Sequence, residues 1–437
     1  MLLAQDVSNE YVPKNLDSLK IYLKTINQNQ IQRVEGEFSS KIKKLYKDRD
    51  ERIIKSIEDS TYIFHSELKK NLNGILSHIY SSNPEIDYKD YYFFINNSMV
   101  PNAVCYGDGM FEIYLGLLTK VDSDDELAYT ICHEIAHKLL DHSLKGIYKR
   151  YAVLNSEDTK KRVEEIKKSE YGRARAALSV IDELSINILD YSKEVESEAD
   201  SLGYILFSKT QFNKRKALSA LNKLKRVDDM VFYHEIKIDS VFNFESYPFR
   251  SFWLKKRTSL FDTTEKINDF QLVSDTVKTH PEIAFRVEKL VNNFDIPNPN
   301  ISSDGSVIFL NKIKPLAHKQ SIESAYDLNY LDLAIYQLIE KFEYGHIDSD
   351  YYYTKMAMVL KRIYDAKKKH DLGKYVPTNN DFFDEKQLNI IRLFLHNMEL
   401  GEVKKMGMAF CQSNKPKIKD SRLFEEIHSF FKEINNQ

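Results

Sequence analysis

Apolar positions along the chain repeat with two different periods, and together they predict a mainly helical fold with a small β-sheet, an α+β class. From Leu16 to Tyr80 the spacing is helical in a strongly charged background, with charge of mixed sign densest between Lys41 and Asp59. That pattern predicts one or two long, largely exposed helices. Tyr91 to Ile95 reads as a strand. Met110 to Leu115 alternates and follows Gly107 and Gly109, so it reads as a second strand after a turn. Leu127, Ile131, Ile135, Leu139 and Leu140 then recur at helical spacing behind Asp124, Asp125 and Glu126, an acidic first turn suited to a helix N-terminus. Lys145 to Ser169 is amphipathic, Ala174 to Ile188 turns apolar and predicts a buried helix, and Leu202, Tyr204, Ile205 and Leu206 carry a further helical stripe. Tyr233 to Arg257 is rich in aromatic residues and holds the only tryptophan, Trp253; it suits either a pocket wall or core packing. Asp295 to Gly305 is turn-rich and predicts a boundary. Beyond it, helices are expected over Leu331 to Phe342, Tyr351 to Lys368, Glu385 to Met398 and Leu423 to Ile434.

Composition narrows the class of protein. At 437 residues the chain exceeds one ordinary core, so two or three domains are expected. A net charge of −2 offers no electrostatic footprint for nucleic acid. No apolar run reaches eighteen residues, so no transmembrane helix is expected. Cys105, Cys132 and Cys411 are scattered and odd in number, which implies no disulfide framework. Leu2-Leu3-Ala4 before Gln5 fits the stub of a trimmed signal peptide and an extracytoplasmic (periplasmic or secreted) location, with an ordinary cytosolic N-terminus as the alternative.

The candidate chemistry lies in the predicted helix after Asp124. His133-Glu134-Ile135-Ala136-His137 sets two imidazoles four residues apart, one turn from each other on a single helical face, with a carboxylate directly after the first. This is the H-E-x-x-H arrangement of zinc peptidases. A tetrahedral catalytic zinc takes three protein ligands and leaves one position for water. Glu196 and Asp200 are again four apart on a predicted helix, so one face offers a ligand carboxylate and a second acid one turn later. That second acid suits the N–H of a ligand histidine, whose tautomer it would fix. Glu194 and Glu198 read as a solvated face. His142, five residues past His137, falls on another face of a continuous helix and is left outside the expected site.

H-E-x-x-H followed some sixty residues later by E-x-x-A-D resembles the family-forty-eight zinc metallopeptidases of the gluzincin group, which include HtpX, the CAAX prenyl protease, the Oma protease and proteases of the BepA kind. Two further blocks carry the resemblance: Pro101-Asn102-Ala103-Val104 with Gly107 to Leu118, and Thr279-His280-Pro281-Glu282-Ile283-Ala284-Phe285-Arg286. The lack of an apolar span points to the soluble branch. The resemblance implies a gluzincin-type core over 61–295, flanked by a helical N-terminal extension over 1–60 and a helical accessory domain over 306–437. It further implies that Met110, Phe111, Glu112 and Ile113 form the edge strand that binds extended peptide by strand addition. His280 and Arg286 would be catalytic, holding the oxyanion or the substrate main chain; in some relatives the histidine instead covers the zinc. The C-terminal helices suggest a repeat module of the tetratricopeptide kind that recruits a protein partner, although no clean repeat of about thirty-four residues stands out.

The expected function is a zinc-dependent endopeptidase with one Zn2+ per chain, held by His133, His137 and Glu196. Glu134 would serve as general base toward a zinc-activated water, Asp200 would orient a ligand histidine, and the substrates would be unfolded or misassembled proteins. The alternative is a latent peptidase fold acting as a chaperone-like or scaffold protein through its C-terminal helices.

Overall fold

The computed structural model describes residues 10–168, 193–224, 232, 234–256, 283–294, 296, 305–379 and 385–436. The expected helix over Ala174 to Ile188, His280 and most of the expected linker lie outside them. The class is the expected α+β, helices predominating beside one four-stranded sheet. Two compact units divide the chain, one of residues 1–228 and 278–314, the other of residues 229–277 and 315–437.

In the first unit the strands are β1 (Tyr62–Ile63), β2 (Tyr92–Asn96), β3 (Ala103–Cys105) and β4 (Met110–Tyr114), in the order β1-β2-β4-β3. β2 and β4 run parallel, with Phe93 opposite Phe111 and Ile95 opposite Ile113. β3 returns antiparallel, with Cys105 opposite Phe111. β4 is therefore flanked on both sides. Met110, Phe111, Glu112 and Ile113, expected at the sheet edge, are buried in its middle, and Glu112 accepts hydrogen bonds from Tyr62, Asn96 and Tyr106. The edge on that side is β3. Alternation along the chain marks a strand but not its neighbours, because pairing order is set by the connections.

The charged N-terminal segment leaves most of its residues exposed or half-buried, as expected, but it is not separate from the first unit. Its helices Leu16–Gln32 and Ser39–Glu58 bury Leu19, Leu23 and Ile26 against Ile53, Ile57, Tyr62, Phe94 and Met110. The first unit thus begins before the expected boundary at residue 61. Narrow apolar stripes in a charged background are enough to bury one face, since the charges line the other.

The histidine helix, Asp124–Leu139, starts at Ser123, whose hydroxyl accepts from the Glu126 N–H. Its acidic first turn is buried rather than solvated. Asp124 accepts from Ser306 Oγ and from the backbone N–H of Phe309 and Leu310, so it caps the following helix, Leu310–Asp327. Asp125 accepts from the N–H of Asn213 and of Ser306, and Glu126 pairs with Lys223 at 2.6 Å. Distant parts of the chain are tied in this way to the N-terminal end of the helix that carries the histidines.

In the second unit, helices Leu331–Glu343, Ser349–Lys368, Lys386–Asn397, Leu400–Asn414 and Arg422–Asn435 pack around one apolar core. Leu400–Asn414 was not among the expected helices. The aromatic segment before the boundary joins this core: Trp253 is fully buried among Phe249, Phe394 and Tyr247, and its indole N–H donates to Glu402. It is core packing, and its residues belong with the C-terminal helices rather than with the first unit.

Candidate metal centre and active site

Two helices in the first unit bring the candidate ligands together. The histidine helix points His133 and His137 the same way, and helical residues 193–208 cross it closely enough for Glu196 and Asp200 to reach them. Gly203 permits that approach: a Cβ there would stand 2.9 Å from His133 Cα, closer than side chains come to backbone. Glycine within a helix costs about 1 kcal/mol relative to alanine; here it removes a side-chain atom that would collide with the backbone of the histidine helix.

The three candidate ligands form a small triangle. His133 Nε2 lies 3.0 Å from His137 Nε2, and the two Glu196 oxygens divide between them, Oε2 at 3.5 Å from His133 Nε2 and Oε1 at 3.5 Å from His137 Nε2. Ligands about 2.0–2.2 Å from a shared tetrahedral ion stand about 3.3–3.5 Å apart. The two Glu196 distances have that size and the histidine pair is slightly closer, and two imidazoles with one carboxylate suit a divalent cation with a fourth position open. Among the described residues no other three such side chains converge.

Around the triangle the charged groups lie within ion-pair distance of one another. Asp200 Oδ1 lies 3.0 Å from His133 Nδ1 and accepts from Tyr129 OH at 3.2 Å. Arg286, on helix Ile283–Phe294, is 2% exposed and forks onto Asp200 at 2.6 and 2.7 Å, while its Nη1 reaches Glu196 Oε2 at 2.9 Å. All three guanidinium nitrogens are engaged with these two acids. Arg286 was expected to hold an oxyanion or substrate main chain; its place instead is behind the ligand set, where a planar fork fits two carboxylates. Glu134 is buried beside the triangle and takes a backbone hydrogen bond from Cys105 on edge strand β3.

Charge follows this geometry. Burial raises the Glu134 carboxyl to about 7, with Glu196 nearby adding to it. Burial acts the same way on Glu196 and Asp200 but is outweighed, for Glu196 by His133 and Arg286 and for Asp200 chiefly by Arg286, so both stay below the usual carboxylate range. Burial opposes a charge on His133 too, yet its bonds to Asp200 and Glu196 lift it to about 10. Burial and the neighbouring His133 hold His137 down at about 3.

His142 was set aside and lies beside the triangle. Asp141 adopts a left-handed conformation, φ 53°, that ends one helix and begins the next, His142–Asn155. The five-residue offset was read on a continuous helix, and the break turns His142 back toward His137, with 3.0 Å between their Nδ1 atoms. Glu198, expected in solvent, reaches His142 Nε2 at 3.2 Å. The one available signal was Asp141 itself, a residue type that tolerates the left-handed region.

The sequence profile of Peptidase family M48 matches residues 67–293, half of the chain. The chain belongs to peptidase family M48. The chain is also 28% identical over 127 residues to metalloprotease YcaL of Escherichia coli (strain K12), an alignment covering 29% of this chain and 48% of that protein. It is 27% identical over 133 residues to the mitochondrial metalloendopeptidase OMA1 of Arabidopsis thaliana, covering 30% of this chain and 25% of that one. The chain thus spans about half the length of the first of these relatives and a quarter of the second. No helix among the described residues is long and apolar enough to cross a membrane.

Proposed function

We propose that this M48 chain is a zinc endopeptidase acting on unfolded or misassembled proteins, with His133, His137 and Glu196 as the metal ligands. The observation that carries this reading is the ligand triangle with a buried, proton-competent Glu134 beside it. Zinc, when bound there, supplies a Lewis acid that polarises the scissile carbonyl and brings the pKa of water to about 7. Glu134 takes a proton from the attacking water and delivers it to the leaving amine nitrogen. Asp200 holds His133 in the tautomer that leaves Nε2 free, and Arg286 keeps both Asp200 and Glu196 charged and in place.

The free side of β3 is the lane for substrate in this reading. An extended peptide pairing with Ala103–Cys105 would run beside Glu134, which Cys105 already contacts through its backbone. The helices after Leu331 are proposed to engage a protein partner. The test is hydrolysis of unfolded casein by the purified chain before and after a metal chelator. Cleavage that the chelator abolishes and added zinc restores is expected; cleavage untouched by metal removal refutes the reading.

Metal binding should also release protons. In the metal-free chain His133 keeps a proton up to about pH 10, whereas a ligand histidine must be neutral. A raised folded pKa means that this proton stabilises the metal-free chain below about pH 6.5, and the contribution is lost as pH rises through about 10. Zinc binding at pH 7 is therefore expected to release about one proton, and apparent affinity to rise about tenfold per pH unit toward 10. Calorimetry in two buffers of different ionisation heat counts the protons; a count of zero refutes the protonated His133.

A further inference from the structure

We propose that His142 and Glu198 are positioning residues that fix the tautomer and orientation of His137, the second metal ligand of the proposed site. The inference rests on the ligand reading above and adds two residues to it.

The two ligand histidines have unlike surroundings. His133 turns its Nδ1 directly onto the carboxylate of Asp200. Among the described residues His137 meets no carboxylate at that position; its Nδ1 faces His142 Nδ1 at 3.0 Å, with the rings crossed at 74°. His142 Nε2 in turn faces Glu198 Oε2 at 3.2 Å. These contacts determine every proton along the line. A ligand bound through Nε2 must carry its hydrogen on Nδ1, so His137 is a donor toward His142. His142 Nδ1 must then be the acceptor, which leaves its hydrogen on Nε2, pointed at a carboxylate that can only accept. The arrangement is self-consistent only with all donors aimed outward from the triangle to Glu198. His142 is 4% exposed and held at the start of its helix by the left-handed Asp141, so the acceptor cannot swing away. Glu198 is largely open to solvent, and its share is accordingly the smaller.

The test uses the full metal-free chain, with zinc affinity read by competition against a chromophoric chelator and ligand geometry read from the visible spectrum of the Co2+-loaded form. His142→Phe keeps a ring but cannot accept; it is expected to lose about 10–100-fold in zinc affinity and to shift the cobalt bands. His142→Gln, whose amide oxygen can accept from His137, is expected to recover most of that affinity. Wild-type affinity and an unchanged spectrum in His142→Phe overturn the proposal. So does an equal loss in both variants with an equal fall in thermal midpoint, which would mark packing alone. If His142→Phe does not fold, Glu198→Leu at its exposed position carries the test: a smaller loss in the same direction is expected, and unchanged affinity overturns the line. His137→Ala separates this from the ligand reading. If that variant binds zinc like the wild type, the ligand assignment itself has failed, and the positioning role falls with it.

Discussion

Glu134→Gln lowers hydrolysis of unfolded casein by about 10²–10⁴-fold while the chain keeps its zinc, an effect of the size expected for a lost general base. The amide is nearly isosteric and can still take the Cys105 N–H on its oxygen, so β3 and the histidine helix have no cause to move. What it lacks is the ability to gain and release a proton near neutral pH. The buried carboxyl of Glu134 has that ability because burial brings it to about 7. Activity and metal content measured on the same preparations make the result decisive. Equal activity in the two proteins removes Glu134 from the chemistry. Lost zinc in the variant would instead make Glu134 part of the metal's own support.

Arg286→Leu costs about 3–5 kcal/mol of stability in the metal-free chain, the usual consequence of leaving buried carboxylates without their partner. Asp200 is 2% exposed and is held charged chiefly by the guanidinium, while Glu196 is held so by His133 and then by Arg286. Zinc at the triangle would supply positive charge beside Glu196, so the loss is expected to shrink when the metal is present. Arg286→Lys recovers only part of it, because one ammonium cannot fork onto Asp200 and also reach Glu196. Denaturant midpoints with and without zinc measure these differences. An Arg286→Leu chain of unchanged stability but reduced kcat would return the residue to the oxyanion role first expected of it.

Much of the site was legible in the sequence because helical periodicity is a local property. The spacing of His133 to His137, and of Glu196 to Asp200, predicts which side chains share a face without knowledge of anything else in the fold. Where the reading fell short, it had assumed that a local element continues or meets nothing distant. His142 was excluded on a helix that Asp141 in fact breaks. Glu198 is largely open to solvent, as expected, and what the reading missed is that one of its oxygens also meets His142. The acids of the histidine helix's first turn were understood as partners of the helix dipole; they also bind backbone N–H groups nearly two hundred residues away.

By itself the sequence determined the helical, α+β class, the three residues of the candidate metal triangle and the family, since each rests on short-range spacing or on ordered blocks along the chain. Tertiary structure alone decided that β4 is interior and β3 the edge, because strand order depends on connections that alternation does not encode. It alone decided that Arg286 stands behind the ligands, that helices Leu16–Gln32 and Ser39–Glu58 belong to the first unit's core, and that Trp253 belongs to the second's. In each case the deciding quantity is which distant surface a side chain meets, and that is settled only when helices close on one another, as they do where Gly203 lets Glu196 come within 3.5 Å of both histidines.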